Sequence, residues 1–202
     1  MFLLEMLFLS FVIALLRGGR IGRLADLNFR WPWLLVLALF LKFSVYFPFG
    51  QSYYDFVSAH SAPRHLLSYM LIVVFLLLNL HLRSFASISL GILLNFIAIV
   101  VNGGFMPASR ASLVKSGLGE LVPYYLQNGG YWNNSVLMSS KTHLSVLGDL
   151  FYLPLPAPFY SVFSIGDILI SIGVFFFIQQ AMLAGGFGWS LRGKLLTHKG
   201  KP

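Results

Sequence analysis

The chain has 202 residues, of which 57% are hydrophobic, 16% aromatic and only 10% charged, with a formal charge of +8 and no cysteine. Soluble domains average about 45–50% apolar and about 25% charged residues, so this composition excludes water as the solvent for the whole surface. The 14 Lys and Arg lie between apolar stretches and not on one basic face, which argues against nucleic acid as a partner, and the lack of Cys removes disulfides, thiolate metal ligands and covalent haem attachment.

In chain order, the first apolar stretch covers residues 2–16. The opening MFLLEMLFLSFVIALLRGGR has no basic n-region, carries Glu5 and offers no A-x-A cleavage site, so it reads as a retained span. Trp31 and Trp33 open the second stretch, 31–49, at headgroup level. Stretches 65–82 and 84–101 are joined by a very short turn around Arg83, which predicts an antiparallel hairpin. On the latter, Ser87 and Gly91 form a small-xxx-small pair that permits close approach of another helix.

The connection 102–161 is far longer than an ordinary loop, yet it is rich in Leu, Val, Tyr and Trp. Leu113, Val114, Leu118, Leu121 and Val122 recur at helical spacing and predict an amphipathic interfacial helix within 108–122. Two NGG triplets, Asn102–Gly104 and Asn128–Gly130, are tight-turn chemistry. A last apolar stretch, 162–184, leads to Trp189 and a basic tail.

These stretches predict an all-α fold: a polytopic membrane helical bundle of about five spans, treated as one domain, with a long ordered outer loop containing an interfacial helix. Nine cationic residues fall on one side (Arg17, Arg20, Arg23, Arg30, Arg83, Arg192, Lys194, Lys199 and Lys201) and four on the other (Arg64, Arg110, Lys115 and Lys141). The richer side is cytoplasmic by the Lys/Arg rule, which places the N-terminus outside and the C-terminus in the cytoplasm.

Glu5 and Lys42 are the ionisable residues deepest in the expected spans. Each lies 12 residues from the arginine nearest the cytoplasmic boundary. That is about 18 Å at about 1.5 Å per residue, and equal depth suggests an intramembrane ion pair. Ser164-x-x-Asp167 before an apolar run has the form of a capping box, and an Asp at the mouth of a bundle is also where a polar substrate meets the membrane. Asp149 is the natural second carboxylate, because two held close can share a proton and divide acid and base roles. Asn102, Arg110 and His143 are the other outer-face residues suited to bind a polar ligand. His60 and His65 flank Arg64 but lack Cys or carboxylate company, so no metal and no cofactor is expected. Asn95, Gln179 and Gln180 read as interhelical hydrogen-bonding residues.

The segments RGGRIGRLADL (17–27), RWPW (30–33), NGGFMP (102–107), LGD (147–149) and FSIGDILISIG (163–173) resemble a family of uncharacterised bacterial multi-span membrane proteins, a domain of unknown function. That resemblance implies a bacterial plasma membrane location and no activity. FSIGDILISIG also looks like the last-helix motif of signal peptidase II, an aspartyl protease family in which an Asp opens the final helix from the outer side; Asp167 matches by position and orientation. The place of that family's GNxxDR motif reads LLNFIAIVVNGG here, with Asn102 and no Asp-Arg, so a second carboxylate has to come from Asp149.

Without a complete catalytic motif, the sequence favours a non-enzymatic binding or accessory subunit for a lipid, a pigment or a membrane partner complex. Two alternatives stay open. One is a membrane-embedded aspartyl hydrolase acting at the outer leaflet with Asp149 and Asp167, and the other is a transporter component.

Overall fold

The computed structural model describes residues 2–82, 85–154 and 160–183. These are predominantly helical, as the composition predicts, with a strand-laced cap at one end. Helix α1 (Phe2–Leu16) follows the first apolar stretch, α4 is Ser61–Leu78, α5 is Phe85–Val101, and the last long helix, α8, is Ile165–Met182. Of these, α4 and α8 have 18 residues each and are long and apolar enough to cross a membrane, while α1 and α5 are shorter apolar helices. Arg83, Trp189, Arg192, Lys194, Lys199 and Lys201, on which part of the charge count rests, lie outside the described residues.

The second helix is shorter than the apolar stretch suggests. Helix α2 (Pro32–Phe43) starts on a proline, whose fixed φ suits a first helical position, and gives way to a single 3-10 turn at Ser44–Tyr46. Two causes end it. The Ser44 hydroxyl turns back onto the Leu41 carbonyl at 2.8 Å, and Phe47-Pro48 disfavours further helix. A short helix, α3 (Gln51–Ala59), then leads into α4.

Neighbouring long helices run in the order α2, α4, α5, α8, α1. The closest pair is α5 with α8, and its cause is legible in side-chain size. Gly91 faces the Gly166 carbonyl, and a Cβ on Gly173 would stand 2.5 Å from the Ile88 side chain. The backbones therefore approach closely enough for the Ser87 hydroxyl to donate to the Leu169 carbonyl across the interface at 2.8 Å. At one end of the bundle Phe29, Phe75, Phe85 and Phe177 pack ring against ring, with centroids 5.3–6.1 Å apart. There too the Arg20 amide and the Arg23 guanidinium both donate to the Met182 carbonyl, at 2.9 and 2.8 Å, supplying donors and positive charge to the end of α8. Trp31 and Trp33 stack, largely exposed, at this same end.

The opposite end carries the cap, and here the structure departs from an uninterrupted interfacial helix. The chain forms α6 (Arg110–Ser116) and α7 (Val122–Gln127), separated at Gly117, whose φ of +96° ends α6 and against which the Tyr160 ring packs. Strands β1 (Met106–Ala108), β2 (Tyr131–Trp132) and β3 (Ser135–Leu137) form one sheet in the order β1-β3-β2, with β1 and β3 parallel. Strands β4 (Phe151–Leu153) and β5 (Ser161–Phe163) form an antiparallel pair. β5 occupies residues assigned by hydropathy to the last span, so that α8 begins only at Ile165. Both NGG triplets make turns with positive φ, and Gly104 seats the cap directly on Ala62 of α4.

Candidate active site

The site is built where the cap meets the bundle. Ser164 caps α8: its hydroxyl accepts from the Asp167 amide at 3.0 Å while the Asp167 carboxylate accepts from the Ser164 amide at 3.0 Å, completing the capping box. The second carboxylate oxygen of Asp167 accepts from the Asn95 amide group at 2.9 Å, and the Ser164 hydroxyl donates to the Asn95 carbonyl oxygen at 2.8 Å. Asn95 and Ser164 are essentially buried. Asp167 is therefore held by acceptor roles on both oxygens, and the Gly91–Gly166 contact is what brings Asn95 within reach of it.

Asp149 reaches the same place from the cap. Its backbone is bracketed by β1 and the residue after it: the amide donates to the Pro107 carbonyl at 2.8 Å, and its carbonyl accepts from Ser109 at 3.1 Å. Gly148 is required for that bridge, because a Cβ there would stand 2.5 Å from the Pro107 carbonyl oxygen. From Phe151 to Phe163 the β4–β5 pair folds the chain back, which returns residue 167 toward residue 149. Burial, with the charge of Asp167 beside it, pushes the Asp149 carboxyl up from 3.8 to about 8, against the opposing pull of the Lys42 ammonium. At neutral pH Asp149 thus carries a proton and a donor, while Asp167 presents acceptors.

Lys42 completes the cluster. Its ammonium lies 3.4 Å from the Tyr69 hydroxyl and 4.8 Å from the centre of that ring, within electrostatic reach of Asp167 and Asp149. Its hydrogen bond and its ring contact are both to Tyr69. Lys42 is one residue from the end of α2, and α2 and α1, which carries Glu5, stand at opposite ends of the helix order. Glu5 sits half-buried on α1, which packs against α8. Behind Lys42, His65 stacks edge-on against Tyr69 and is tied through Nδ1 to the Gly104 carbonyl at 2.9 Å. Arg64 donates to the Leu41 carbonyl at 2.7 Å and to the Asn134 side chain at 2.8 Å, joining the end of α2 to the cap.

Of the residues singled out from sequence, Asp149, Asp167, Lys42 and Asn95 are brought together, and Asn102 with His143 forms a second group. The Asn102 side chain donates to the Ala98 and His143 carbonyls at 2.7 and 2.8 Å and accepts from the His143 amide at 2.9 Å. Arg110 opens α6 and is exposed. His60 is exposed against Phe56 while His65 is buried, so the two histidines diverge; no metal-binding cluster occurs among the described residues. Gln179 makes the expected bond between helices, donating to the Ser10 carbonyl at 2.9 Å. Sequence reasoning missed Tyr69 and Arg64, because an aromatic and a cation beside a helix start carry no signal of their partners.

Fold and site together define a helical bundle whose capped end joins two carboxyl groups, a lysine and a tyrosine. The chain belongs to the family of unknown function DUF5317, whose model matches residues 26–179. No curated protein and no solved structure matches it.

Proposed function

We propose that this chain is a membrane-embedded aspartyl hydrolase that cleaves an acyl bond, amide or ester, presented at the outer surface of a bacterial plasma membrane. The observation that carries this reading is the convergence of two carboxyl groups at the capped end, Asp167 held by Asn95 and Ser164 and Asp149 bridged to β1, within electrostatic reach of each other and of Lys42. Burial favours the protonated form of Asp149, and the Asp167 oxygens both accept hydrogen bonds, so a proton donor and a proton acceptor meet in one place. This pairing favours hydrolysis over the accessory-subunit and transporter readings, which do not call for paired carboxyl groups of opposite role.

The membrane reading rests on surface chemistry. Phe8, Val36, Leu77 and Phe176, on α1, α2, α4 and α8, are 55–71% exposed, a cost in water and none in lipid. Helices α4 and α8 would each extend about 27 Å, close to the hydrocarbon thickness, and the three shorter helices would cross with flanking turns and local thinning. In this topology α1 starts outside, five helices cross, and the cap with its acidic pair lies at the outer face.

In the proposed reaction the Asp167 carboxylate takes a proton from water as the water oxygen bonds to the acyl carbon. Asp149 gives its proton to the carbonyl oxygen, producing a neutral tetrahedral diol. Collapse re-forms the carbonyl as Asp149 recovers a proton from one hydroxyl and Asp167 delivers its own to the leaving nitrogen or oxygen. Both groups end as they began, and Lys42 steadies negative charge on either carboxylate between steps.

The test is incorporation of heavy oxygen. Purified chain in liposomes is incubated in ¹⁸O-water with lipid-anchored peptide amides and esters, and products are read by mass spectrometry. One ¹⁸O per released carboxylate is expected for the wild type, with a loss of about 100-fold or more in both Asp149→Asn and Asp167→Asn. Turnover that survives both substitutions, or no turnover of any substrate, overturns the assignment.

A further inference from the structure

A second concavity, which the hydrolytic reading does not use, opens on the side of the cap. It encloses about 550 Å³ between the end of α5, the second NGG turn and the segment after β3. Its walls are of two kinds. Val101, Leu126 and Met138 supply apolar surface, and Tyr131, Lys141 and His143 supply polar groups. The polar rim is held in place: Asn102 fastens His143 to the top of α5, and the Ser139 amide donates to the Thr142 hydroxyl at 2.9 Å in the turn that carries Lys141. Neither the Lys141 ammonium nor the His143 ring has a hydrogen-bond or ionic partner among the described residues. No carboxylate lines the cavity.

Below Val101 the outward side of α5 continues the apolar wall. Leu90, Leu93, Ile97 and Val100 recur every three or four residues and are 37–50% exposed, so one uninterrupted apolar stripe descends from the cavity. From Leu90 to Val101 it runs about 16 Å, the reach of an extended acyl chain of moderate length.

We infer that this cavity binds the phosphate-bearing headgroup of an anionic phospholipid, with Lys141 on the phosphate and an acyl chain along the α5 stripe. The inference rests on the membrane part of the proposed function and is independent of the hydrolysis. A cationic rim without an opposing carboxylate selects negative charge, and the stripe leading out of the cavity selects a lipid over a free anion.

Delipidated full-length chain in detergent is titrated with phosphatidylglycerol, phosphatidylcholine or inorganic phosphate and followed by native mass spectrometry. Phosphatidylglycerol should bind about tenfold or more tightly than phosphatidylcholine, and Lys141→Glu should remove that preference while Lys115→Glu, on α6 and outside the cavity lining, keeps it. All three proteins are first shown to unfold at the same temperature. Equal affinity for the two lipids, equal losses in the two variants, or full displacement by inorganic phosphate overturns the inference. Recovery of the chain from cells in the detergent-free soluble fraction would instead refute the membrane reading itself, so the two failures are told apart.

Discussion

Replacing Asp149 by Asn is expected to make the protein more stable in alkali and leave it nearly unchanged in acid. The Asp149 carboxyl is raised from 3.8 to about 8, so between those values the folded state retains a proton that the unfolded chain has released. The unfolded chain then binds fewer protons, and stability falls as the pH rises. Below 3.8 both states are protonated and the wild type loses nothing; above about 8 both are ionised and the loss is complete. At about 1.4 kcal/mol per unit the shift corresponds to about 6 kcal/mol. Because Asp149 keeps some solvent access and shares its field with Asp167, about half of that is a prudent expectation for the variant. A gain of about 2–3 kcal/mol raises the midpoint by roughly 4–12 °C in a chain of this size. Unfolding in detergent, followed through intrinsic tryptophan fluorescence at about pH 5, 7 and 9, measures it directly. Parallel pH curves for the two proteins, or an Asn variant less stable at about pH 9, would refute the argument.

Gly91→Val should be far more damaging than a typical helix substitution, by about 3 kcal/mol or more, since its new Cβ would collide with the Gly166 carbonyl; loss of the monodisperse peak in detergent chromatography reports it. Asn95→Ala removes a part-buried bond to Asp167 and a buried one from Ser164, and should lower stability by about 2–4 kcal/mol in the same thermal assay. Arg64→Ala should leave the bundle folded but speed hydrogen exchange in the 3-10 turn at Ser44–Tyr46 and around Asn134, the two places its guanidinium ties together. Asn102→Ala frees the segment carrying Lys141, and limited trypsin digestion should cut there at least about tenfold faster than in the wild type.

The parts legible in the sequence are those decided by near neighbours along the chain. Ser164 and Asp167 are three residues apart, and their capping box forms as their spacing predicts. Gly91 announces a close helix contact because its size alone permits one. What could not be read depends on distant partners. The depth of Lys42 follows from where α2 stops, and that is set jointly by Ser44, Pro48 and the Arg64 guanidinium arriving from α4. The strands of the cap are two or three residues long, too short to show alternation, and exist through pairings such as Met106 with Ser135. Asp149 owes its place to Ala108, its bridge partner on β1, a relation no local pattern encodes. The break at Gly117 was readable in principle, since a glycine inside a helical pattern is a natural stopping point.

The bridge between Ala108 and Asp149 also bears on the order in which the molecule is assembled. Asp167 takes its position as soon as α8 forms beside α5, through contacts wholly within the bundle and its capping turn. Asp149 arrives only when the chain after α7 has returned to lie along β1, a closure across some forty residues that is slow compared with helix formation. A chain with its helices packed and its cap still open therefore owns half of the acidic pair. If the proposed hydrolysis holds, maturation of the cap is the step on which it depends.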